Sequence, residues 1–373
     1  MPINWEDHET YLVGKSEGIV FGKKNKFACF DLDDTLITPK SGNKFATSGD
    51  DWKFMFPNVV DKLLELNTDK YIVVIITNQA GISKNKNNVG VKEWKNKIGM
   101  IVEKLGIPII IYASLDHDHY RKPFPTFWEM LTNNLDNNSE QCVGKSFYCG
   151  DACGRKTDFS DSDIKFAHNC GIKFILPEMV FCNIGDKKIK PPKINYPIDF
   201  DNIASGELNF VPHDKELIIM IGYPGSGKST FVRNYISKNN YSVINRDTLK
   251  TMQRCIHECE KYMTNGKSIV IDNTNPSIDD RKKFIELAKL NKYIVRCFVM
   301  DTSIELSKHN SYYRNYISNG KINHIPDIAY NIYKKKFTEP IIEEGFSEII
   351  KVPFSLDNSV DESKYRMYFI CNK

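Results

Sequence analysis

Eight consecutive residues in the second half of the chain could hold phosphate groups. Residues 222 to 229 read GYPGSGKS, which fits the G-x-x-x-x-G-K-[ST] pattern at every fixed position. Glycines let backbone N–H groups point at phosphate oxygens, Lys228 can reach the β and γ phosphates, and the Ser229 hydroxyl can hold Mg²⁺. An apolar strand (ELIIMI) precedes the loop and a helix-like segment (STFVRNYIS) follows it. The residues predicted to bind ATP are Gly222, Gly225, Ser226, Gly227, Lys228, Ser229 and Thr230.

Three charged residues further along could direct the phosphoryl group to an acceptor. Asp247 follows the strand SVIN, where it could take a proton from an attacking hydroxyl, or else cap the next helix. Asp272 ends the strand SIVID, where it could assist the metal or cap the strand end. Arg314 lies on a predicted helix that could close over the phosphate as a lid. Arg281 and Arg296 are the less favoured candidates, and a surface ion pair is the alternative for each arginine.

The first half of the chain carries two aspartates at a spacing that suits phosphoryl transfer. Asp31 and Asp33 lie in FDLDDTL, directly after the apolar strand KFACF. Asp31 would attack phosphorus and carry it as an acyl phosphate, while Asp33 would protonate the leaving oxygen and then activate water. This D-x-D-x-T motif resembles the opening motif of the haloacid-dehalogenase-like phosphotransferases. That family usually has glycine where this chain has Asp34, which adds a negative charge near the phosphate.

Other strand ends of this half supply polar groups in the order that such a site needs. Thr77 ends the strand YIVVIIT and can bind phosphate, Lys122 in RKP can neutralise developing charge, and Asp151 ends the strand SFYCG. One aspartate of DFSDSD (residues 158–163) could also support a metal, although a helix start capped by Asp163 is the alternative. The predicted ligands of Mg²⁺ are Asp31, the Asp33 carbonyl, Asp151 and, in the second half, Ser229.

The composition is that of a globular protein. The 373 residues are 41% apolar and 26% charged, and this length predicts two or three domains. No apolar stretch approaches the roughly 18 residues of a membrane span, and the opening MPINWEDHETYLVGKSEG reads as neither a signal nor a transit peptide. Cys29, Cys149 and Cys297 fall in predicted strands, where reduced thiols behave as core residues. We expect a soluble nuclear or cytoplasmic protein that is not secreted.

Short apolar runs alternate with helix-like stretches in both halves. KFACF, YIVVIIT, IPIIIY and SFYCG predict strands of the first half, with helices at Val59 to Asn67 and Val91 to Leu105 between them. ELIIMI, SVIN, SIVID and YIVRCFVM predict strands of the second. This βαβ alternation predicts an α/β fold with two domains, each a parallel sheet flanked by helices. We place the domains at residues 1–185 and 213–373, joined by a proline-rich linker at 186–212.

Motifs throughout the chain resemble those of the polynucleotide kinase/phosphatase family. In the second half they are Gly222–Thr230, VINRDTL (243–249), QRC (253–255), DNTNP (272–276) and His309-Asn310. In the first half they are TNQAGI (77–82), Lys122-Pro123, GDACGR (150–155), DFS (158–160) and FAHNCGI (166–172). The resemblance implies a haloacid-dehalogenase-like Rossmannoid 3′-phosphatase followed by a P-loop 5′-polynucleotide kinase. It also implies that Asp247 activates a polynucleotide 5′-hydroxyl and that both activities prepare DNA strand breaks for ligation.

The implied partners are ATP and nucleic acid with 3′-phosphate or 5′-hydroxyl ends, with DNA favoured over RNA. A ligase or other repair proteins would be further partners of a protein expected to be a monomer. Lysine clusters at 23–26, 84–86, 187–188 and 334–336 could face the polyanion, although solvated loops are the default explanation for each. Two rival functions stay open: a phosphatase/kinase pair acting on small molecules, and a module that binds nicked DNA with its phosphatase silenced by Asp34.

Overall fold

The structure, a computed structural model, divides into two compact units. Residues 1–21, 25–82, 89–133, 144–182, 189–201, 203 and 210–372 are described. The first unit comprises Met1–Tyr196, Asn315–Ile322 and Met367–Lys373, and the second comprises Pro197–Arg314 and Asn323–Arg366. None of the helices in these ranges is long and apolar enough to cross a membrane.

Some sequence-based expectations fall outside the described residues. The lysines at 23–24, 84, 86 and 187–188 are among them, whereas Lys334–Lys336 are described and exposed at the end of a helix. The predicted domain limit at residue 185 also lies in an undescribed stretch. The limits 1–185, 186–212 and 213–373 therefore stay a prediction.

The first unit contains a seven-stranded sheet in the order β1-β2-β7-β6-β3-β8-β9 and a two-stranded ribbon, β4-β5. The strands are β1 (Ile3–Asp7), β2 (Tyr11–Ser16), β3 (Lys26–Phe30), β4 (Ile37–Thr38), β5 (Lys53–Phe54), β6 (Tyr71–Asn78), β7 (Ile109–Ser114), β8 (Phe147–Cys149) and β9 (Lys173–Ile175). The helices are α1 (Val59–Thr68), α2 (Val89–Leu105), α3 (Thr126–Asn133), α4 (Ser162–Asn169) and α5 (Pro177–Phe181). Five neighbouring strands, β7-β6-β3-β8-β9, are parallel, as predicted, whereas the antiparallel hairpin β1-β2 was not predicted.

The apolar runs of this sheet fill two cores, one on each face. Phe30 and Ile75 pack into one buried cluster, and Cys29 and Val74 into the other. Successive side chains of a strand point to opposite faces, so a strand covered on both sides must be apolar at nearly every position. This requirement explains why the sequences of β3 and β6 are continuous apolar runs that predict strands.

The second unit has a five-stranded parallel sheet in the order β11-β12-β10-β13-β14. Its strands are β10 (Glu216–Ile221), β11 (Ser242–Ile244), β12 (Ile269–Ile271), β13 (Ile294–Asp301) and β14 (Glu348–Pro353), the last of which was not predicted. The α-helices that begin in its range are α6 (Lys228–Phe231), α7 (Arg246–Leu249), α8 (Met252–Thr264), α9 (Ile278–Leu290), α10 (Ile304–Ile317), α11 (Asp327–Lys336) and α12 (Glu362–Tyr365). A π-helical turn, Val232–Ile236, continues α6.

A late segment of the sequence, residues 367–372, belongs to the first unit and packs against α4. Asn169, at the end of α4, exchanges two hydrogen bonds with the backbone of Tyr368, each 2.8 Å long. Lys165 Nζ donates to the carbonyl of Ile370 at 2.8 Å. The backbone and side-chain amides of Asn372 donate to the Asp161 carboxylate at 3.0 and 2.9 Å. Residues far apart in the sequence thus complete one folded unit.

Candidate active sites

The predicted residues of the first unit converge at one edge of its sheet. Asp31 follows β3, Thr77 lies near the end of β6, and Asp151 comes shortly after β8. The carboxyl ends of neighbouring parallel strands share one edge, which is where sites of open α/β sheets form. The backbone N–H of Asp31 donates to the carbonyl of Cys149 at 2.9 Å, so the loops after β3 and β8 are directly joined.

Lys122 is the cationic centre of this site. Its Nζ donates to Asp31 Oδ1 and Asp163 Oδ1, both at 2.7 Å, and to the Tyr148 hydroxyl at 2.6 Å. Burial by itself would lower the pKa of Lys122, but the adjacent carboxylates of Asp163 and Asp31 raise it above its ordinary value. The lysine therefore stays charged. Asn78 fixes its backbone by accepting from the Lys122 N–H and donating to the Lys122 carbonyl.

Three carboxylates form a candidate metal centre beside Lys122. Asp31, Asp151 and Asp163 each offer an oxygen, and these oxygens lie within 4.8 Å of one another. Burial and the negative charges of Asp163 and Asp31 raise the pKa of Asp151 to about 8. A cation would relieve this repulsion, and oxygen ligands suit Mg²⁺, so the donor set fits a divalent metal. The Asp33 side chain is not part of the trio, and its carbonyl stays a predicted ligand.

Asp163 joins the site instead of capping a helix. The N-cap residue of α4 is Asp161, and Asp163 Oδ2 accepts a hydrogen bond from the backbone N–H of Ala152 at 3.1 Å. Its side chain is 1% exposed, and Lys122 is its cationic partner. The sequence offered Asp163 only as one of several acids. Its contact with Lys122 depends on tertiary structure and could not be read from spacing.

Asp33 lies beside the trio with separate partners. Its side chain is 50% exposed and ion-pairs with Lys97, whose Nζ is 3.6 Å from Asp33 Oδ1. Gln79 Nε2 donates to Asp33 Oδ2 at 2.6 Å and to the Thr77 hydroxyl at 3.1 Å. One amide group therefore links the predicted general acid to the predicted phosphate-binding threonine. Lys97 and Gln79 had no predicted role.

The backbone conformation at Asp34 is one that favours glycine, the residue that the haloacid-dehalogenase-like family usually has at this position. Its φ is +55°, in the left-handed region that glycine enters without steric cost and other residues enter at about 1 kcal/mol. The Asp34 carboxylate accepts from the Thr38 hydroxyl at 3.4 Å. Burial and the neighbouring Asp33 raise its pKa. The loop therefore keeps its shape with aspartate at this position.

In the second unit, the loop between β10 and α6 has the geometry of a phosphate cradle. Gly225 and Gly227 have φ values of +79° and +97°, which favour glycine. A Cβ at Gly225 would lie 2.4 Å from the carbonyl oxygen of Ser307, so a side chain cannot fit there. Lys228 Nζ donates to the carbonyls of Gly222 and Tyr223 at 2.9 and 2.7 Å, which holds the ammonium inside the loop.

The other predicted loop residues differ in their exposure to solvent and in their hydrogen bonds. Ser229 is exposed, and Thr230 is partly exposed. Ser226 is fully buried, and its carbonyl accepts from the Thr302 hydroxyl at 3.0 Å. Asn310 Nδ2 donates to the carbonyl of Gly225 at 2.9 Å and so ties α10 to the loop. The His309-Asn310 motif marked this contact in the sequence, but its role was not predicted.

The negative charges of Asp247 and Asp272, which follow β11 and β12, influence the pKa of Lys228. Burial lowers the pKa of Lys228 to about 8, while the charges of Asp272 and Asp247 oppose the shift and that of Arg314 adds to it. Asn245, not Asp247, caps α7: its Oδ1 accepts from the Asp247 N–H at 2.8 Å. Asp247 is exposed, so its carboxylate is accessible to a substrate.

Asp272 has the features of a metal-assisting acid. It is 6% exposed, and its carbonyl and Oδ2 accept from Asn245 Nδ2 at 2.8 and 3.2 Å. Its Oδ1 is buried and has no hydrogen-bond partner among the described residues. Buried carboxylate oxygens are rarely left without a partner, so Asp272 Oδ1 fits a ligand such as Mg²⁺.

The three candidate arginines differ in environment. Arg281 is fully buried and makes a two-pronged ion pair with Glu344, while Arg296 pairs with the buried Glu216. Both arginines are held in buried ion pairs, so neither fits the role of a lid arginine that closes over the phosphate. Arg314 is exposed in the last turn of α10 and acts electrostatically on Lys228. Its role as a lid arginine stays a prediction.

Known proteins are similar in sequence to both halves of this chain. A family profile described as "Polynucleotide kinase 3 phosphatase" matches residues 26–181, and one described as "AAA domain" matches residues 217–340. A protein of Acanthamoeba polyphaga mimivirus, provisionally named a bifunctional polynucleotide phosphatase/kinase, is 37% identical over 410 residues, covering 99% of this chain and 94% of that protein. The bifunctional polynucleotide phosphatase/kinase of Schizosaccharomyces pombe is 38% identical over 339 residues, covering 89% of this chain and 80% of its own. The chain belongs to the bifunctional polynucleotide phosphatase/kinase family.

Membership of the polynucleotide phosphatase/kinase family agrees with both site geometries and confirms the resemblance seen in the sequence. The first matched region contains the cluster around Lys122, and the second contains the loop at Lys228. The polynucleotide 3′-phosphatase of Saccharomyces cerevisiae is 32% identical over 203 residues, which is 41% of this chain and 85% of that protein. This member of the polynucleotide phosphatase/kinase family is therefore an enzyme with a phosphatase domain and a P-loop kinase domain.

The kinase domain should bind ATP more weakly as the pH rises. Because burial lowers the pKa of Lys228 to about 8, its ammonium is largely charged at pH 7 and largely neutral at pH 9. A neutral lysine loses its attraction for phosphate, so we expect ATP affinity to fall about tenfold between these values. Titration calorimetry at both pH values would measure this. Lys228→Met should bind weakly at both, and an equally steep fall in that variant would contradict the assignment to Lys228.

Proposed function

We propose that this enzyme removes phosphate from the 3′ ends of DNA and uses ATP to phosphorylate 5′-hydroxyl ends. The main support is that one chain carries an aspartate–lysine phosphotransfer cluster and a complete triphosphate loop with an acid beside it. The two activities act on complementary defects of a broken strand. Their joint product is an end that a ligase can seal, and a ligase or another repair protein is the partner that we propose for a monomeric enzyme.

In the phosphatase reaction, Asp31 is the nucleophile. Lys122 holds Asp31 Oδ1 at 2.7 Å and offsets negative charge as the carboxylate approaches phosphate. An oxygen of Asp31 bonds to phosphorus while the bond from phosphorus to the 3′ oxygen breaks, and Asp33 gives its proton to that oxygen. Asp33 then takes a proton from water, which attacks the aspartyl phosphate and releases inorganic phosphate. Thr77 binds a phosphate oxygen.

In the kinase reaction, Asp247 accepts the proton of the 5′-hydroxyl as its oxygen attacks the γ phosphate of ATP. Lys228 and the backbone N–H groups of the loop bind the phosphates, and ADP leaves in line with the attacking oxygen. Arg314 stabilises charge on the transferred group.

We propose Mg²⁺ as the metal of both sites. Asp31, Asp151 and the carbonyl of Asp33 would hold it in the phosphatase, and Ser229 with Asp272 would hold it in the kinase. The ion supplies positive charge to phosphate oxygens when bound. The close approach of three carboxylates in the first unit and the free Oδ1 of Asp272 support this assignment.

Two exposed aromatic residues support nucleic acid as the substrate of the phosphatase. Phe45 and Phe159 are 71% and 63% exposed, and Lys44 Nζ lies 5.6 and 4.6 Å from their ring centroids. Phe45 lies between β4 and β5, the ribbon that follows Asp33 in the chain, and Phe159 lies between Asp151 and α4. Aromatic faces with a lysine between them suit stacked bases and a phosphate backbone.

Phe159→Ala should weaken turnover of an oligonucleotide but not of a small phosphate ester. Loss of one stacking contact costs about 1–3 kcal/mol, so we expect KM for a single-stranded 3′-phosphate oligonucleotide to rise about tenfold or more. Steady-state kinetics on the oligonucleotide and on a 3′-mononucleotide would test this. Phe21→Ala, another exposed phenylalanine of the same unit, is the control. Equal losses on both substrates would argue against stacking.

Matched DNA and RNA ends test the proposed substrate directly. We expect faster 3′-phosphate removal and 5′-phosphorylation on DNA strands than on RNA strands of the same sequence. Activity independent of oligonucleotide length would favour the small-molecule alternative, and tight binding of nicked DNA without turnover would favour a silenced phosphatase. We place the reaction in a nuclear or cytoplasmic compartment, which suits the buried free thiols of Cys29, Cys149 and Cys297.

A further inference from the structure

A buried lysine contacts the general acid of the phosphatase. Lys97 lies on α2, its side chain is 9% exposed, and its Nζ is 3.6 Å from Asp33 Oδ1. The Asp33 side chain is 50% exposed, so the lysine approaches this carboxylate from the protein interior while solvent reaches its other side. Gln79 Nε2 donates to the second oxygen, Oδ2, at 2.6 Å. Two elements thus contact the two oxygens of one carboxylate.

The position of Lys97 in its helix is unusual for a lysine. Trp94, Ile98 and Ile101, its neighbours along the inward face of α2, are 4%, 0% and 0% exposed. Lysine is rarely buried unless its charge is paired, because removing an ammonium from water costs free energy. Methionine or leucine could fill similar space without that cost. The charge that Lys97 brings to Asp33 therefore explains the residue better than packing does.

We propose that Lys97 is a positioning residue that, with Gln79, directs the Asp33 carboxyl group at the leaving 3′ oxygen. This inference rests on the proposed phosphatase function. As an oxygen of Asp31 bonds to phosphorus and the bond to the 3′ oxygen breaks, the proton on Asp33 must pass to that oxygen. A carboxyl group held at both oxygens loses less orientational freedom in this step than a free one. Lys97 acts through Asp33 and contacts neither phosphate nor sugar.

Lys97→Met removes the charge of the side chain and keeps most of its length. We expect kcat on a 3′-phosphate oligonucleotide to fall about 10- to 100-fold with KM nearly unchanged, because a misdirected acid slows the chemical step and not binding. Lys97→Arg should recover most of the loss. Lys95→Met is the matched control, since Lys95 lies on the same helix, pairs with the exposed Asp7 and should leave kcat unchanged.

A double-mutant cycle separates positioning from packing and from substrate binding. If Lys97 acts through Asp33, then Lys97→Met should cause no further loss in the Asp33→Asn background, measured in single turnovers with enzyme in excess. A further loss there, a rise in KM alone, or an unchanged Lys97→Met variant would overturn the inference. Absence of 3′-phosphatase activity in the wild-type enzyme would instead overturn the proposed function. Kinase activity reports the amount of intact enzyme in each preparation, and thermal unfolding reports whether the phosphatase unit has folded.

Discussion

Asp31→Asn is expected to abolish 3′-phosphatase activity, with a loss of at least about 10³-fold in kcat, and to leave the kinase intact. The amide is nearly the size of the carboxylate but cannot form the acyl phosphate. The substitution also removes one of the two anionic partners of Lys122. The Nζ of Lys122 would still pair with Asp163 at 2.7 Å. The site should therefore stay assembled. Release of inorganic phosphate from a 3′-phosphate oligonucleotide would measure the loss.

Acid-quenched protein should show the same difference chemically. Wild-type enzyme incubated with a ³²P-labelled 3′-phosphate oligonucleotide should carry alkali-labile label, as an aspartyl phosphate does, and Asp31→Asn should carry none. Transfer of the γ phosphate to a 5′-hydroxyl oligonucleotide by the same preparation controls for the amount of intact enzyme, and thermal unfolding controls for folding of the phosphatase unit. Substantial residual phosphatase activity would mean that another group is the nucleophile.

Lys228→Ala is expected to reduce kinase activity by about 10²- to 10³-fold and to leave the phosphatase unchanged. The Nζ of Lys228 lies inside the loop, bonded to the carbonyls of Gly222 and Tyr223. Its positive charge is the one best placed to bind the β and γ phosphates. Phosphoryl transfer from labelled ATP to a 5′-hydroxyl oligonucleotide would measure the effect.

A surface lysine provides the matched control for this variant. Lys238 is exposed beyond the same helical segment, and Lys238→Ala should retain full kinase activity. The midpoint temperature of thermal unfolding, Tm, should not decrease by a large amount in either variant. Loss of both activities in Lys228→Ala would contradict two independent sites, since each activity is assigned to residues of its own unit.

The parallel strands were predictable because each is buried on both faces. KFACF and YIVVIIT read as continuous apolar runs and became β3 and β6. The hairpin β1-β2 was missed because INWED and YLVGKS mix exposed and buried positions. Within the segment TLKTMQRC (248–255), Lys250 at φ +71° separates α7 from α8. The local composition does not predict that a lysine adopts the left-handed backbone conformation.

Residues at strand ends were likewise predictable, because parallel strands bring their carboxyl ends together. This principle located Asp31, Thr77 and Asp151 on one edge. It could not locate Asp163 or Lys97, which lie on helices and reach the site through contacts with residues distant in sequence. Helical periodicity predicts which side of a helix is buried, but not which buried polar residue meets a catalytic partner.

The hydrogen bonds between α4 and residues 367–372 have a consequence for biosynthesis. A ribosome makes β3 to β9 early, but the segment that bonds to Asn169 and Asp161 emerges only after the whole kinase region has been synthesised. Until then α4, which carries Asp163, lacks the segment that packs against it. The first unit can therefore be completed only after the kinase region has been synthesised, and a chain that stalls before residue 367 would carry an unfinished phosphatase unit.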